Sequence, residues 1–209
     1  MKPQKIIKIS GHPALIKFNN KLLISNDPIC LDLGACIGNF TTQLINIKNG
    51  RGYYYLYEPN KELYKTLNNL NYKYNIEVYN KAISFKNGVE RFYIGNIKKS
   101  SSLIKTHRNL SEEYYDIETI TLRDILKPFD KVDIVKMDIE GSEVEVLLST
   151  DIDELNKINQ LLVEFHLNKN VGYEESDIEK VEEHLKKSDL IKIYDEGNDV
   201  IFINKRLMI

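Results

Sequence analysis

The chain has 209 residues, with 29 basic and 31 acidic side chains, a formal net charge of −2 and two cysteines. That length suits one domain with a substantial core, the near-balance of charge leaves no general polyanion-binding footprint, and Cys30 and Cys36 are too close to make a disulfide framework. The lysine-bearing N-terminal residues hold too short an apolar stretch for a signal peptide or a membrane span, so a cytoplasmic chain with no membrane partner is expected.

Residues 1–26 read as a small N-terminal extension, with short strands at 5–9 and 14–18 about a turn at 11–13. Residues 29–33 form a continuous apolar run, the pattern of a strand covered on both faces of a parallel sheet. Phe40, Leu44 and Ile47 recur at helical spacing, and Asn49 and Gly50 end that helix. A second strand follows at 52–57, then a helix with Leu63, Leu67 and Leu70 as its apolar stripe, then a third strand at 76–79. Strands at 89–94 and 115–120 flank the least regular stretch, 95–115, which holds Ser101, Ser102, His107 and Arg108. A loop that long in a compact domain is usually functional or disordered.

Thr121 is a good N-cap for a helix at 122–126. After a core strand at 132–137, Ser142 and Glu145 read as the capping box of a helix whose apolar face holds Val144, Leu147 and Leu148. A strand at 158–165 leads to His166. Ser176 and Glu179 read as the cap of the next helix, and 190–194 with 200–204 form a closing hairpin through Gly197 and Asn198. Strands alternating with helices, then a hairpin, predict an open α/β sheet. The domain reading is an extension at 1–28 and a main domain at 29–209.

Residues 30–38 (CLDLGACIG) carry the first chemical signal. An apolar strand rises to Asp32 and breaks into a turn with Gly34 and Gly38, and the next strand ends in Glu58. Strand, glycine turn, helix, strand and acid build a nucleoside pocket at the carboxyl ends of parallel strands. Glycines let the backbone approach the ligand, and the acid grips two ribose hydroxyls. A dinucleotide site wants Gly-x-Gly-x-x-Gly for its pyrophosphate, but Cys36 takes the middle position and Asp32 would repel that anion. A carboxylate there suits a cation such as the amino group or sulfonium of S-adenosylmethionine, which is the expected cofactor. The same turn also serves as an ordinary tight βα connection. Cys36 reads as a loop thiol within reach of the cofactor.

Residues 133–143 (DIVKMDIEGSE) carry the second signal. Asp138, Glu140 and Glu143 crowd the end of a core strand, with Lys136 on the same face as Asp138. Like charges this close need a cation, a shared proton or solvent. Asp138 and Glu140 fall at the sheet edge where ligands of such folds bind and are read as functional, whereas Glu143 is read as a helix-start acid favoured by the dipole. Glu164 and His166 share one face at the end of the neighbouring strand and look into the same cleft. Such acids also suit Mg²⁺, but their spacing matches no tight metal motif and no metal is assigned. His12, His107 and His184 receive no role, and His184 reads as a solvated helix residue.

Together these segments resemble the FkbM family of S-adenosylmethionine-dependent methyltransferases. The likeness runs from about residue 29 to 204. It rests on LDLGACIGNFT at 31–41, YEPN at 57–60, NKAI at 80–83, TITL at 119–122, VDIVKMDIEGSE at 132–143 and LVEFH at 162–166. The Lys-x-Asp-x-Glu-Gly-x-Glu block is far more specific than the glycine turn, and Cys36 departs where such proteins usually carry an Asn-like residue. The resemblance implies a class I, Rossmann-like fold with a seven-stranded, mostly parallel sheet. It would set Asp32, Gly34, Ala35 and Gly38 around the methionine part of the cofactor, Glu58 on the ribose, Asn80, Lys81 and Ala82 beside the adenine, and Asp138 and Glu140 beside the reactive methyl. It also implies O-methylation of a sugar or polyketide hydroxyl, and for that chemistry His166 is assigned as the base, with Asp138 or Glu140 orienting it or the substrate and Lys136 steadying the carboxylates.

A small-molecule or glycan acceptor is therefore expected, with Ser101, Ser102 and Glu164 as substrate contacts and the 100–102 loop as a lid. A tRNA or protein methyltransferase is the rival enzyme, for which Lys98, Lys99, Lys105 and Arg108 would form a local basic patch. The mild acidity of the chain disfavours nucleic acid. A non-catalytic binding domain on the same fold is the third reading, and oligomeric state is not legible.

Overall fold

The computed structural model describes residues 5–9, 11–18, 21–69, 74–96, 100–105, 110–166 and 173–208. Leu70, Lys98, Lys99, His107 and Arg108, together with the His12 side chain, fall outside them. In chain order the strands are β1 (Lys5–Ile9), β2 (His12–Phe18), β3 (Lys21–Leu22), β4 (Ile29–Leu33), β5 (Tyr53–Tyr57), β6 (Ile76–Tyr79) and β7 (Ala82–Ile83). They continue with β8 (Gly88–Gly95), β9 (Leu110–Ile120), β10 (Val132–Met137), β11 (Ile158–Glu164), β12 (Leu190–Glu196) and β13 (Asp199–Asn204). The helices are α1 (Asn39–Ile47), α2 (Lys61–Asn68), α3 (Leu122–Leu126), α4 (Glu143–Ser149), α5 (Ile152–Leu155) and α6 (Glu175–Lys187).

Seven strands form one sheet in the order β12-β13-β11-β10-β4-β5-β6. The contiguous run from β11 through β10, β4 and β5 to β6 is parallel, and β13 pairs antiparallel with both β11 and β12. The chain leaves β4 toward β5 and β6 on one side, then returns to lay β10 and β11 on the other. The strand order thus switches direction beside β4, and crevices at such switch points are where open α/β sheets bind ligands. Every residue of β10 is buried, which is why VDIVKM lacks alternation: a central strand covered on both faces has no solvent side.

One face of the sheet packs Leu33, Met137, Leu147 and Phe165, and the other packs Leu44, Tyr54, Ile134 and Leu162. The second cluster also contains Ile9, Ala14, Leu15 and Ile16, so the antiparallel sheet β1-β2-β3 shares a core with the main sheet. Polar ties reinforce that seam. The Asp133 carboxylate accepts bonds from the Ser25 amide and hydroxyl and from the Ile29 amide. The third sheet, β7-β9-β8, stands beside the strand tips.

The structure corrects several local expectations. Among the described residues of 95–115, those from Leu110 belong to β9 and Ser102 bridges to Tyr93, more order than the polar sequence suggests; an antiparallel strand with a solvated face shows few apolar residues. Helix α1 buries Phe40, Thr41, Leu44 and Ile45, leaving Ile47 at the margin of the stripe, 38% exposed. Helix α4 likewise buries Val146 in place of Leu148. Ser142 makes no side-chain cap, because the acid reaching back there is Glu143. Helix α6 starts earlier than Ser176, with Glu174 at the N-cap and Asp177 accepting from the Glu174 amide at 3.0 Å, the reach-back of a capping box built from two acids. His184 is half-buried, its Nε2 lying 2.9 Å from the Thr150 carbonyl. Among the described residues no helix is long and apolar enough to cross a membrane.

Candidate active site

The tips of β4 and β10 touch through their backbones. A Cβ at Gly34 (φ +79°) would lie 1.8 Å from the Asp138 carbonyl oxygen, so this position accepts only glycine. The Asp138 amide donates to the Leu33 carbonyl at 3.0 Å, and the Gly34 and Ala35 amides donate to Tyr57 at 3.0 and 3.1 Å. The next turn is strained: Cys36 sits at φ 53°, a left-handed conformation costing roughly 1–2 kcal/mol for a side chain with Cβ. Its amide donates to Glu58 Oε2 at 2.8 Å, while the Asn60 amide donates to Glu58 Oε1 at 2.7 Å. Glu58 is thereby fixed at the tip of β5. Burial pushes its carboxyl up to about 7, against the pull of the two amides.

A cavity of about 350 Å³ opens between these tips. Of the residues assigned from sequence, it is lined by Gly34, Ala35, Glu58, Ala82, Ser101, Lys136, Asp138, Glu140, Glu164 and His166, joined by Cys36. Asp32, Gly38, Asn80, Lys81 and Ser102 are not in its wall. Gly38 is the left-handed residue that opens α1. The Asn80 side-chain amide braces the Glu58 and Pro59 carbonyls, and Lys81 pairs with Glu118 at 3.0 Å.

Asp32 lies behind the wall, fully buried. Thr41 donates to its Oδ2 at 2.7 Å, and Oδ1 has no hydrogen-bond partner; burial raises its pKa. Lys136 bridges from there into the cavity, with Nζ 3.8 Å from Asp32 Oδ1 and 3.1 Å from Asp138 Oδ2. Burial works against this ammonium, but the Asp138 and Asp32 carboxylates outweigh it and raise its pKa.

His166 follows β11 and is 5% exposed. Its Nδ1 lies 2.9 Å from Glu143 Oε1, an oxygen that also accepts from the Ile139 amide at 3.2 Å and the Gly141 amide at 3.1 Å. An acceptor that engaged assigns the proton to Nδ1 and turns Nε2 toward the acids, 3.4 Å from Glu140 Oε2 and 3.8 Å from both Asp138 Oδ1 and Glu164 Oε1. Burial disfavours the imidazolium. The Glu143 hydrogen bond and the Glu143, Glu140 and Asp138 charges prevail and hold its pKa up at about 9. Burial pushes the Glu140 carboxyl up to about 7 even with His166 opposing.

Glu143 does start α4, as the sequence reading has it, but it carries a second role that reading missed. It is 1% exposed and its Oε1 orients the His166 ring. A signal was present: Glu143 shares the buried stripe of α4 with Val146 and Leu147, at the i+3 and i+4 spacing of one helical face. Asp138, Glu140 and His166 each bring one donor atom within 4.8 Å of the others, an oxygen–nitrogen set with which a divalent ion is chemically compatible.

The sequence model of the methyltransferase FkbM domain matches residues 32–193. The chain belongs to the FkbM methyltransferase family. Among solved structures, the FkbM domain is similar to Methyltransferase FkbM from Methylobacillus flagellatus KT, with TM-score 0.58 and 19% identity over 86% of this chain and 44% of that one. The chain thus spans less than half the length of that relative. A fibrillarin/Nop5p complex gives TM-score 0.50 and 12% identity over 86% of this chain and 72% of that one. At such identities the likeness speaks for the fold, that of α/β methyltransferases. No curated protein matches the sequence. The family match begins at Asp32 and takes in the glycine turn, Glu58, the Lys136–Glu143 block and His166.

Proposed function

We propose that this FkbM domain transfers the methyl group of S-adenosylmethionine to a hydroxyl of a sugar or another small molecule in the cytoplasm. The observation that carries the reading is the buried Glu143–His166 pair, which turns Nε2 onto the acidic mouth of the Glu58 cavity. Four lining carboxylates, Glu58, Asp138, Glu140 and Glu164, stand against Lys136 and His166, and that anionic excess complements a ligand with cationic groups. The two amide-fixed oxygens of Glu58 suit a ribose diol, and Ala35, Ile83 and Phe92 offer an apolar wall for a base.

S-adenosylmethionine, when bound, supplies an electrophilic methyl on a sulfonium. The chain's own residues do the rest. The cavity wall holds the acceptor hydroxyl in reach of that methyl, since positioning supplies much of the acceleration in such transfers. His166 Nε2 takes the hydroxyl proton. Glu143 fixes the ring tautomer and steadies the imidazolium that forms, and Lys136 holds the Asp138 carboxylate in place at 3.1 Å. A cation entering the cavity opposes the charge on His166, so cofactor binding favours the neutral, basic imidazole.

Calorimetry with S-adenosylhomocysteine, followed by a screen of candidate acceptors with labelled S-adenosylmethionine, tests the reading. Binding is expected, with His166→Ala keeping affinity and losing turnover. Well-folded protein that binds neither ligand, or a His166→Ala variant with unchanged turnover, overturns it.

A further inference from the structure

Ser102 is 1% exposed and does not line the cavity. Its hydroxyl donates to the Glu140 carbonyl at 2.6 Å and accepts from the Ile104 amide at 3.0 Å. Its backbone pairs with Tyr93 in both directions, at 2.8 and 3.0 Å, which seats it firmly on β8. The residue it grips is unusual: Glu140 has φ 59°, a left-handed conformation that residues with a Cβ avoid. Strain of this kind persists only where the surroundings over-determine it. Here Glu143 Oε1 takes the amides on either side of Glu140, those of Ile139 and Gly141, and Ser102 takes the carbonyl between them. In that conformation the Glu140 carboxylate lies 3.4 Å from His166 Nε2.

We propose that Ser102 is a positioning residue whose hydroxyl, clamped on the Glu140 carbonyl, ties the β7-β9-β8 sheet to the strained turn after β10 and holds the Glu140 carboxylate against His166. The proposal rests on the reading of His166 as the working base. It also explains how the third sheet communicates with the chemistry. Phe92, Ser101 and Leu103, from the same segments as Ser102, line the cavity, so a ligand pressing on that wall acts on the Glu140 turn through the Ser102 hydroxyl. Without the clamp the turn relaxes toward negative φ and the carboxylate withdraws.

The test compares Ser102→Ala, Ser102→Thr, Glu140→Gln and the Ser102→Ala/Glu140→Gln double variant. The readout is the proton-binding midpoint of the His166 ring by NMR, one of four histidines, identified by its loss in His166→Ala. The groups facing the ring are Glu143 from α4, Asp138 and Glu140 from the turn after β10, and Glu164 from β11, with Lys136 beyond Asp138. Of these, Ser102 contacts the Glu140 backbone.

Glu140→Gln is expected to weaken proton binding at His166 about tenfold, since an opposite charge at this distance commonly moves a pKa by one unit or more. Ser102→Ala should weaken it by a smaller factor, about threefold or more. Ser102→Thr should restore the wild-type midpoint, and the double variant should match Glu140→Gln alone. Should Ser102→Ala melt too low for measurement, Ser102→Cys, a weaker donor of similar size, gives the same direction. A wild-type midpoint in Ser102→Ala overturns the proposal, as does a double variant that adds the full Ser102→Ala effect to that of Glu140→Gln. These midpoints are read without any acceptor, so a protein that shows the coupling yet transfers no methyl group refutes the proposed function and leaves this inference standing. Once an acceptor is identified, Ser102→Ala should lower kcat with KM little changed.

Discussion

Gly34→Ala is the sharpest structural test of the site. The added Cβ would sit 1.8 Å from the Asp138 carbonyl oxygen and 2.8 Å from its carbon, whereas two such atoms normally approach to about 3.5 Å. The tips of β4 and β10 would therefore have to part by more than ~1 Å, against the Asp138-to-Leu33 backbone bond. Strain adds to the clash, because φ at Gly34 is +79° and a side chain there costs about 1–2 kcal/mol. Overpacking typically costs another 1–3 kcal/mol, so the total is roughly 2–5 kcal/mol. For a chain of this size each kcal/mol lowers Tm by roughly 2–4 °C, which predicts a fall of about 4–20 °C. Because the displaced atoms carry Ala35 and Asp138 into and out of the cavity wall, S-adenosylhomocysteine affinity should fall by about a hundredfold, the effect of a misplacement near 1 Å. Gly197→Ala is the control: its φ is +65° with nothing within 4 Å of the added Cβ, so it meets the strain without the clash. Scanning calorimetry and isothermal titration give both quantities. A Gly34→Ala variant that melts and binds like Gly197→Ala refutes the argument.

The other predictions concern charge and strain. His166, whose ordinary value is 6.5, holds its proton up to about 9 in the folded chain. The folded state therefore binds a proton that the unfolded state has released, and stability of about 3 kcal/mol, present below pH ~6.5, is lost as pH rises through about 9. Urea titrations from pH 6 to 10 should show this decline, Glu143→Gln should flatten it, and an undiminished slope in that variant refutes the pairing. Cys36→Asn, which places a residue tolerant of left-handed backbone at φ 53°, should raise stability by about 0.5–1 kcal/mol, or roughly 1–4 °C in Tm; a lower Tm argues that the thiol is held for packing. Methyl transfer through an unaided His166 should survive exhaustive chelation, and activity lost to chelator but restored by Mn²⁺ would replace that reading with metal assistance at Asp138, Glu140 and His166.

The sequence showed the skeleton of the site because strand tips have a local signature. An apolar run without alternation, followed by glycine or acid, marks a buried parallel strand reaching the ligand edge, and β4, β5 and β10 end that way at Gly34, Glu58 and Asp138. The His166 position was legible for the same reason. What local pattern could not deliver were partnerships across the fold. Ser102 looked like a loop serine because its partner, the Glu140 carbonyl, is 38 residues away. Glu140 itself carries no signature of its left-handed backbone, since nothing in an Ile-Glu-Gly string distinguishes it from a helical start. Glu143 satisfied the dipole rule, and only its burial adds orientation of an imidazole to that role. Asp32 shows the converse, for a carboxylate at a strand tip can lie behind the cavity wall as readily as in it.

The acids of this site differ in function because each has a different partner. Asp32 is confined behind the sheet with Thr41 and Lys136, Glu58 is bound by two backbone amides, and Glu143 is bound by His166 and two more amides. That leaves Asp138, Glu140 and Glu164 around one imidazolium and one ammonium, an arrangement that turns away phosphates and accepts cations. The same excess raises the His166 pKa, and under the proposed function a bound cation would lower it again, tying the strength of the base to the charge of the ligand.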